Sequence, residues 1–164
     1  MQYMKLSPDQ REEFMIALGS MPKFLRRTFS DVSPADARSP GPDGIPSPVE
    51  QVWHLADLER EGFGERIRRL LLEPDPHLLD FNGGKVAADR NYRSLSLEAG
   101  LMAFAAARRG NISALRAVAP ESWFRSGTQE GVGKVSLFDI PVFISQHDAA
   151  HRLEIETWKK SLGR

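Results

Sequence analysis

The sequence contains no cysteine, carries no net charge and has no long uninterrupted hydrophobic run. Without cysteine it has no disulfides, no cysteine-ligated zinc or iron–sulfur clusters and no protein thiol nucleophile. Its 22 Lys and Arg side chains balance 22 Asp and Glu side chains, so the basic surface typical of nucleic-acid binders is missing. No apolar stretch approaches the roughly 20 residues that span a membrane. Any chemistry must therefore come from histidine, carboxylates, hydroxyls or a bound metal.

What is present is the composition of an ordinary globular protein. The chain has 164 residues, of which 41% are hydrophobic and 27% are charged, and this predicts a single domain over residues 1–164. The first six residues do not place a basic segment before an apolar core, so we expect no signal peptide and a cytoplasmic location.

Two helix starts use the same sequence signal. Ser7 and Ser47 are each followed by Pro at the first helical position and by Gln or Glu at the third, which predicts a capping box at both sites. The first helix continues at steps of three and four, with a kink expected at Pro22. The second helix ends at Pro74 because two prolines follow closely there.

Two further amphipathic helices follow. The third begins near Leu97 and is closed by Pro120, and the fourth begins with Asp139 as its N-cap. Pro, Gly and polar residues predict a loop at residues 33–46, a long surface connection at residues 74–94, and a loop or short hairpin at residues 121–135. Since no strand signal is strong, the pattern predicts an all-α four-helix bundle of the up-down type, with long connections after helices 1, 2 and 3.

Three of the four histidines form a candidate metal site. His147 and His151 lie four residues apart on the apolar face of helix 4, so both imidazoles can reach one ion. His54 lies near the core side of helix 2, where facing helices of a bundle bring side chains together. Three neutral imidazoles leave one coordination position open, as in catalytic metal sites. His77 lies in a proline-rich loop and is expected at the surface.

The alternative is that these histidines are ordinary core residues, each bonded to a carboxylate or a backbone carbonyl. Burying them without partners would cost several kcal/mol, which a metal ion would offset. The segment from His147 to His151 also has the spacing of the zinc-protease motif, but Asp148 stands where that motif needs Glu, and only 13 residues follow His151. We therefore reject the protease interpretation.

Other polar residues have two interpretations each. Arg108 lies on the inner face of helix 3 and is a candidate to bind a substrate carboxylate, although such an arginine more often pairs with a buried acid or reaches the surface. Asp57 and Glu50 lie one turn from His54 and are candidates to orient its second nitrogen. The run from Arg66 to Arg69 is most simply a solvated helix face.

The segment Trp53-His54-Leu55-Ala56-Asp57-Leu58-Glu59 resembles the second-helix signature of the DinB-like (YfiT-like) superfamily. The segment from Gly133 through His147-Asp148 to His151 is similar to its fourth-helix signature, and the likeness extends over nearly the whole chain. The resemblance implies a four-helix bundle, often a homodimer, in which His54, His147 and His151 bind one divalent metal ion. Glu154 departs from the pattern, since a Gln commonly follows the final histidine there.

The same resemblance implies an activity. Characterised members include S-transferases and isomerases that use small cofactor thiols such as bacillithiol, mycothiol or glutathione. We therefore expect a thiol-dependent S-transferase or isomerase that acts on a small-molecule substrate, with Zn or Ni as the metal because imidazole suits both. A metal-dependent hydrolase and a non-catalytic metal- or ligand-binding stress-response protein remain open alternatives.

Overall fold

Six α-helices account for most of residues 5–163, the part of the chain that this computed structural model describes. They are α1 (Pro8–Thr28), α2 (Pro48–Asp57), α3 (Gly64–Leu72), α4 (Gly83–Arg90), α5 (Leu97–Arg116) and α6 (Asp139–Ser161). A six-residue π-helical segment, Leu58–Phe63, joins α2 to α3 without a break. The expectation about a signal peptide depends partly on residues 1–4, which lie outside the described residues.

The helix starts follow the predicted capping chemistry. At α1, the Ser7 N–H donates to Gln10 Oε1 at 2.8 Å and the Gln10 N–H donates to Ser7 Oγ at 3.1 Å, which is a complete capping box. At α2, the Glu50 N–H donates to Ser47 Oγ, but the Ser47 hydroxyl itself donates to the Glu50 carboxylate at 2.9 Å. The second cap therefore closes through side chains instead of through the Ser47 N–H.

The bundle consists of α1, the continuous helix from α2 to α3, α5 and α6. The closely packed helix pairs include α1 with α5, α1 with α6 and α2 with α5. Two groups of buried apolar side chains fill the interior, one around Leu70 and Ile144 and the other around Phe104 and Trp158. The structure is thus a four-helix bundle, while these pairs do not confirm the up-down order, in which α1 would adjoin α2.

The connections contain more structure than the sequence predicts. The stretch 74–94, expected to be a surface connection, includes α4 and a short strand, β1 (His77–Leu78). The predicted hairpin is present as β2 (Ser126–Gln129) and β3 (Gly133–Ser136), which pair antiparallel, and β1 adds to β2 in parallel. This sheet is too short for a sequence signal, because a two-residue strand such as β1 has no alternation to detect.

One of two boundary predictions is wrong in detail. The helix α1 runs through Pro22 without ending, as expected, and the kink predicted there stays a prediction. Asp139 is the first residue of α6 and Phe138 is its N-cap, so the prediction of Asp139 as N-cap is wrong by one position. The Asp139 carboxylate instead accepts hydrogen bonds from the Ser136 N–H and hydroxyl, which ties β3 to the start of α6. No helix in residues 5–163 is long and apolar enough to cross a lipid bilayer.

Candidate metal centre

His54, His147 and His151 converge between α2 and α6. One ring nitrogen from each lies within 4.8 Å of the other two. The closest pair is Nε2 of His147 and Nε2 of His151, which are 3.1 Å apart. Two imidazole nitrogens that share a tetrahedral ion at about 2.05 Å lie about 3.3 Å apart. The His147–His151 pair therefore has the spacing of two ligands on one ion, and His54 lies close enough to supply a third.

The orientation of His151 is set by two polar neighbours. Its Nδ1 lies 2.8 Å from Gln51 Oε1, while the Gln51 amide nitrogen donates to Glu154 Oε2 at 2.9 Å. Because the amide nitrogen is used on Glu154, its oxygen must accept, and the proton of His151 lies on Nδ1. The Nε2 lone pair of His151 then points at His147 and is free to ligate a metal.

All three imidazoles are held neutral. The pKa of His54 is lowered to about 4 and that of His147 to about 3, mainly by burial and in smaller part by the neighbouring histidines. Burial also lowers the pKa of His151, against the opposing charges of Glu154 and Asp148. Neutral imidazole is the form that binds a metal, so the cluster is prepared for ligation at neutral pH.

His54 is positioned by shape instead of hydrogen bonds. Within residues 5–163 its ring makes no hydrogen bond, and it packs near Phe81 with ring centroids 6.3 Å apart. A Cβ on Gly83, the first residue of α4, would lie 2.9 Å from His54 Cε1. A side chain at this position would push the imidazole out of its present place, so α4 closes one side of the cluster by close backbone approach.

Arg108 does not extend into the cluster as a free cation. Its Nε and Nη2 donate to Glu59, both Nη atoms donate to Asp148, and Nη1 also donates to the Leu18 carbonyl, at distances of 2.7 to 3.0 Å. These bonds use all five N–H donors of the guanidinium. The candidate role of Arg108 in binding a substrate carboxylate is therefore unsupported, because no donor remains; the alternative of pairing with buried acids describes it.

The Leu18 carbonyl explains one of these bonds. Its usual helical partner would be the N–H of residue 22, but Pro22 has none. Arg108 supplies the missing donor at 2.9 Å and so allows α1 to pass through the proline. Burial lowers the pKa of Arg108, but hydrogen bonds and charge from Asp148 and Glu59 outweigh it and hold that pKa above its ordinary value.

The carboxylates expected to orient His54 have other partners. Asp57 accepts from Tyr92 and pairs with Arg60 and Arg90. These partners outweigh its burial and hold its pKa below the ordinary value. Glu50 accepts from Ser47 in the helix cap. His77 lies at the surface with 62% of its side chain exposed, beside Glu130 and outside the cluster.

Sequence reasoning missed Gln51, Phe63 and Phe81 at this site. The ring of Phe63 packs edge-on against His147 with centroids 5.9 Å apart, and the ring of Phe81 packs near His54 with centroids 6.3 Å apart. Gln51 lies three residues before His54, one helical turn away on the same face of α2. This spacing is the one sequence signal from which Gln51 could have been predicted. Glu154 departs from the family pattern, and its contact with Gln51 gives that position a role.

Comparison with known proteins identifies the family of this chain. The sequence profile of the DinB superfamily matches residues 17–155. The chain belongs to the DinB superfamily. No curated protein matches it in sequence.

This DinB-superfamily chain also resembles a solved structure. It matches YfiT from Bacillus subtilis with a TM-score of 0.89 and 16% sequence identity, over 99% of this chain and 93% of that one. YfiT is described as a probable metal-dependent hydrolase with an unusual four-helix bundle topology. At this identity the likeness establishes a shared fold for the DinB-superfamily chain, and any shared activity is a separate question.

Proposed function

We propose that this protein is a divalent metal-dependent enzyme in which His54, His147 and His151 hold one ion per chain. The observation that carries the proposal is the convergence of three imidazole nitrogens within 4.8 Å of one another. Their low pKa values keep these side chains neutral, and Gln51 turns the lone pair of His151 toward the other two. The ion would be zinc or nickel, since imidazole suits both.

The neighbouring carboxylates support an open coordination position. Asp148 is engaged by Arg108, and Asp57 is engaged by Tyr92 and two arginines. Glu154 lies 3.4 Å from Nδ1 of His151, on the side of the ring away from the cluster. Among residues 5–163 the group of possible ligands therefore consists of three histidines. Three protein ligands with a vacant fourth place are typical of catalytic sites.

We further propose that a small-molecule thiol occupies the open position, and that the protein transfers this thiol to an electrophile or isomerises a thiol adduct. When bound, a divalent ion supplies Lewis acidity, which lowers the pKa of a coordinating thiol or water. The chain has no cysteine of its own, so the thiol must come from outside. The side chains of Phe63 and Phe81 beside the histidines would limit access of water.

Hydrolysis is the second candidate function. It is favoured by the likeness to YfiT, which is described as a probable metal-dependent hydrolase. The same three histidines serve both reactions, and the difference lies in whether a thiol or a water molecule is the nucleophile.

Elemental analysis of untagged protein tests the metal site. We expect about one zinc or nickel ion per chain in the wild type and almost none in the His147→Ala, His151→Ala double variant. His77→Ala is the matched control, because His77 is exposed and outside the cluster, and it should retain the ion. An ion-free wild type that takes up neither Zn²⁺ nor Ni²⁺ when supplied would contradict the proposal and leave the histidines as core residues.

Cobalt substitution tests which nucleophile binds. Adding glutathione or a simple aliphatic thiol to the Co²⁺-loaded protein should produce sulfur-to-cobalt charge-transfer absorption in the near ultraviolet. An unchanged spectrum, combined with metal-dependent hydrolysis of an activated ester in the absence of thiol, would favour the hydrolase. If neither response occurs while the ion stays bound, the protein is a non-catalytic metal-binding protein.

A further inference from the structure

Arg66, near the start of α3, is a buried cation without a hydrogen-bonding partner. Only 7% of the residue is exposed. Within residues 5–163 its guanidinium makes neither a hydrogen bond nor an ion pair, and its Nε is completely buried without an acceptor. A buried donor without a partner is costly, and native proteins rarely keep one without a reason.

The neighbours of Arg66 connect it to the metal centre. Its guanidinium carbon lies 5.6 Å from the centroid of the Phe63 ring, and the centroid of the same ring lies 5.9 Å from that of His147. Arg66 also lines a cavity of about 250 Å³ together with Leu78, Leu79 and Phe81. Phe81 is the ring that packs near His54. Phe81 therefore borders both the cavity and the histidine cluster, and Phe63 lies near both Arg66 and His147.

The other charged groups that line this cavity are engaged elsewhere. Their partners are as follows: Glu61 with Arg90, Glu65 with Arg68, and Arg69 with Glu73 and the His77 carbonyl. The Asp80 carboxylate accepts from the Phe81 N–H and acts on Arg66 from beyond ion-pair distance. Arg66 is thus the cation of this cavity that is available to a ligand.

We propose that Arg66 binds the carboxylate of a small organic ligand, whose other end reaches the open position of the histidine site. The second half of this statement rests on the proposed function, while the first half stands on the cavity alone. The planar guanidinium fork matches a carboxylate with two parallel hydrogen bonds, which the two Nη groups of Arg66 can donate because, unlike the Nε, they are not among the fully buried unpartnered atoms. Three acidic side chains around the cavity would repel a doubly charged phosphate more strongly than a singly charged carboxylate.

The test is a titration of metal-free, ¹⁵N-labelled protein with benzoate, followed through the Arg66 Nε–H signal. A saturable shift of that signal is expected with benzoate and not with benzamide, its neutral isostere. The affinity should fall at least tenfold in Arg66→Lys, which keeps the charge but loses the planar fork, and further in Arg66→Gln. Arg69→Gln is the control, since Arg69 lines the same cavity but is already paired with Glu73.

Equal affinity of Arg66→Gln and wild type, equal binding of benzamide and benzoate, or the absence of benzoate binding by the wild type would each overturn the proposal. Metal content is measured in the same variants and should be unchanged by either substitution of Arg66. Because the benzoate titration uses metal-free protein, a failure at Arg66 is distinguished from a failure of the histidine site.

Discussion

Two buried arginines lie near the same histidine and differ in almost everything except burial. Arg108 is 1% exposed and donates all five of its N–H groups to Glu59, Asp148 and the Leu18 carbonyl. Arg66 is 7% exposed and has no hydrogen-bonding partner. Both charges act on His147 and contribute, after burial and the other histidines, to its low pKa.

The difference shows that burial alone does not assign a role to a charged residue. A guanidinium whose donors are all used holds other parts of the protein in place: Arg108 links α1, the π-helical segment and α6. A guanidinium with free donors contributes little to holding the fold together and can receive a ligand. The partners of a buried cation therefore separate a structural arginine from a binding arginine.

The largest effect is expected for Arg108→Met. Removing this cation leaves two buried carboxylates, Glu59 and Asp148, without their partner. Breaking a buried ion pair from one side costs about 3–5 kcal/mol, because the remaining charge stays buried. We expect the free energy of unfolding at pH 7, measured by urea denaturation, to fall by that amount.

Two controls accompany this measurement. Arg116→Met removes an exposed arginine, with 49% of its side chain accessible, from a surface pair with Glu12, and should cost less than about 1 kcal/mol. Adding Glu59→Gln and Asp148→Asn to Arg108→Met should restore part of the loss, since the stranded charges disappear. A loss at Arg108 no larger than the loss at Arg116 would erase the distinction between the two buried arginines.

The next effect concerns pH, because both arginines help to keep His147 neutral. In the folded metal-free protein the pKa is about 4 for His54 and about 3 for His147, against an ordinary value of 6.5. Below pH 6.5 the unfolded chain therefore binds more protons than the folded chain, so stability is lost as pH falls. Each such histidine contributes a slope of up to about 1.4 kcal/mol per pH unit.

Urea unfolding of metal-free protein between pH 7 and 5 measures this slope. His147→Ala should flatten it, whereas His77→Ala should not, since His77 lies at the surface. Arg66→Met should leave the slope in this range nearly unchanged, because a small rise from a folded pKa of about 3 still leaves His147 neutral at pH 5. A stability that is constant from pH 7 to 5 would contradict the neutral, buried state of the cluster.

A smaller effect is expected for the hydrogen bonds around His151. Gln51→Leu removes the acceptor that holds the proton on Nδ1, so Nε2 is no longer fixed as the ligating nitrogen. Loss of such a supporting group typically lowers metal affinity by about 10- to 100-fold. Competition with a chelator measures the change, and Gln146→Leu, at an exposed glutamine beside His147, is the control. Equal zinc affinity in the two variants would show that packing alone orients His151.

The contrast between the arginines also marks the limit of sequence reasoning. The capping signals at Ser7 and Ser47, the four amphipathic helices and the spacing of His147 and His151 are local patterns, and the structure contains all of them. By contrast, the prediction that Arg66 lies on a solvated helix face is wrong, because the residue is buried. The π-helical segment Leu58–Phe63 precedes it, and each extra residue in a turn rotates the following helix by about 100°.

No local sequence pattern predicts this π-helical segment, because tertiary contacts stabilise it. The Asn111 side chain donates to the Glu59 carbonyl at 2.8 Å, and Arg108 holds the Glu59 carboxylate. Both partners are about 50 residues away along the chain, beyond the reach of periodicity arguments. The hydrogen bond between Gln51 and Glu154, which supports the contact of Gln51 with His151, could not be predicted either, since these two residues are 103 positions apart.

The smallest effect, and the sharpest test of the comparison, is expected for Arg66→Met. Methionine fills a similar volume and removes a buried charge that has no hydrogen-bonding partner, so the lost contacts are mainly those with Phe63. We expect the free energy of unfolding at pH 7 to change by no more than about 1 kcal/mol in either direction. Urea denaturation beside Arg108→Met decides the point. A fall of about 3 kcal/mol in the free energy of unfolding of Arg66→Met would show that this guanidinium stabilises the fold. A near-zero change in that free energy, together with loss of benzoate binding, is expected of a residue that serves to bind a ligand.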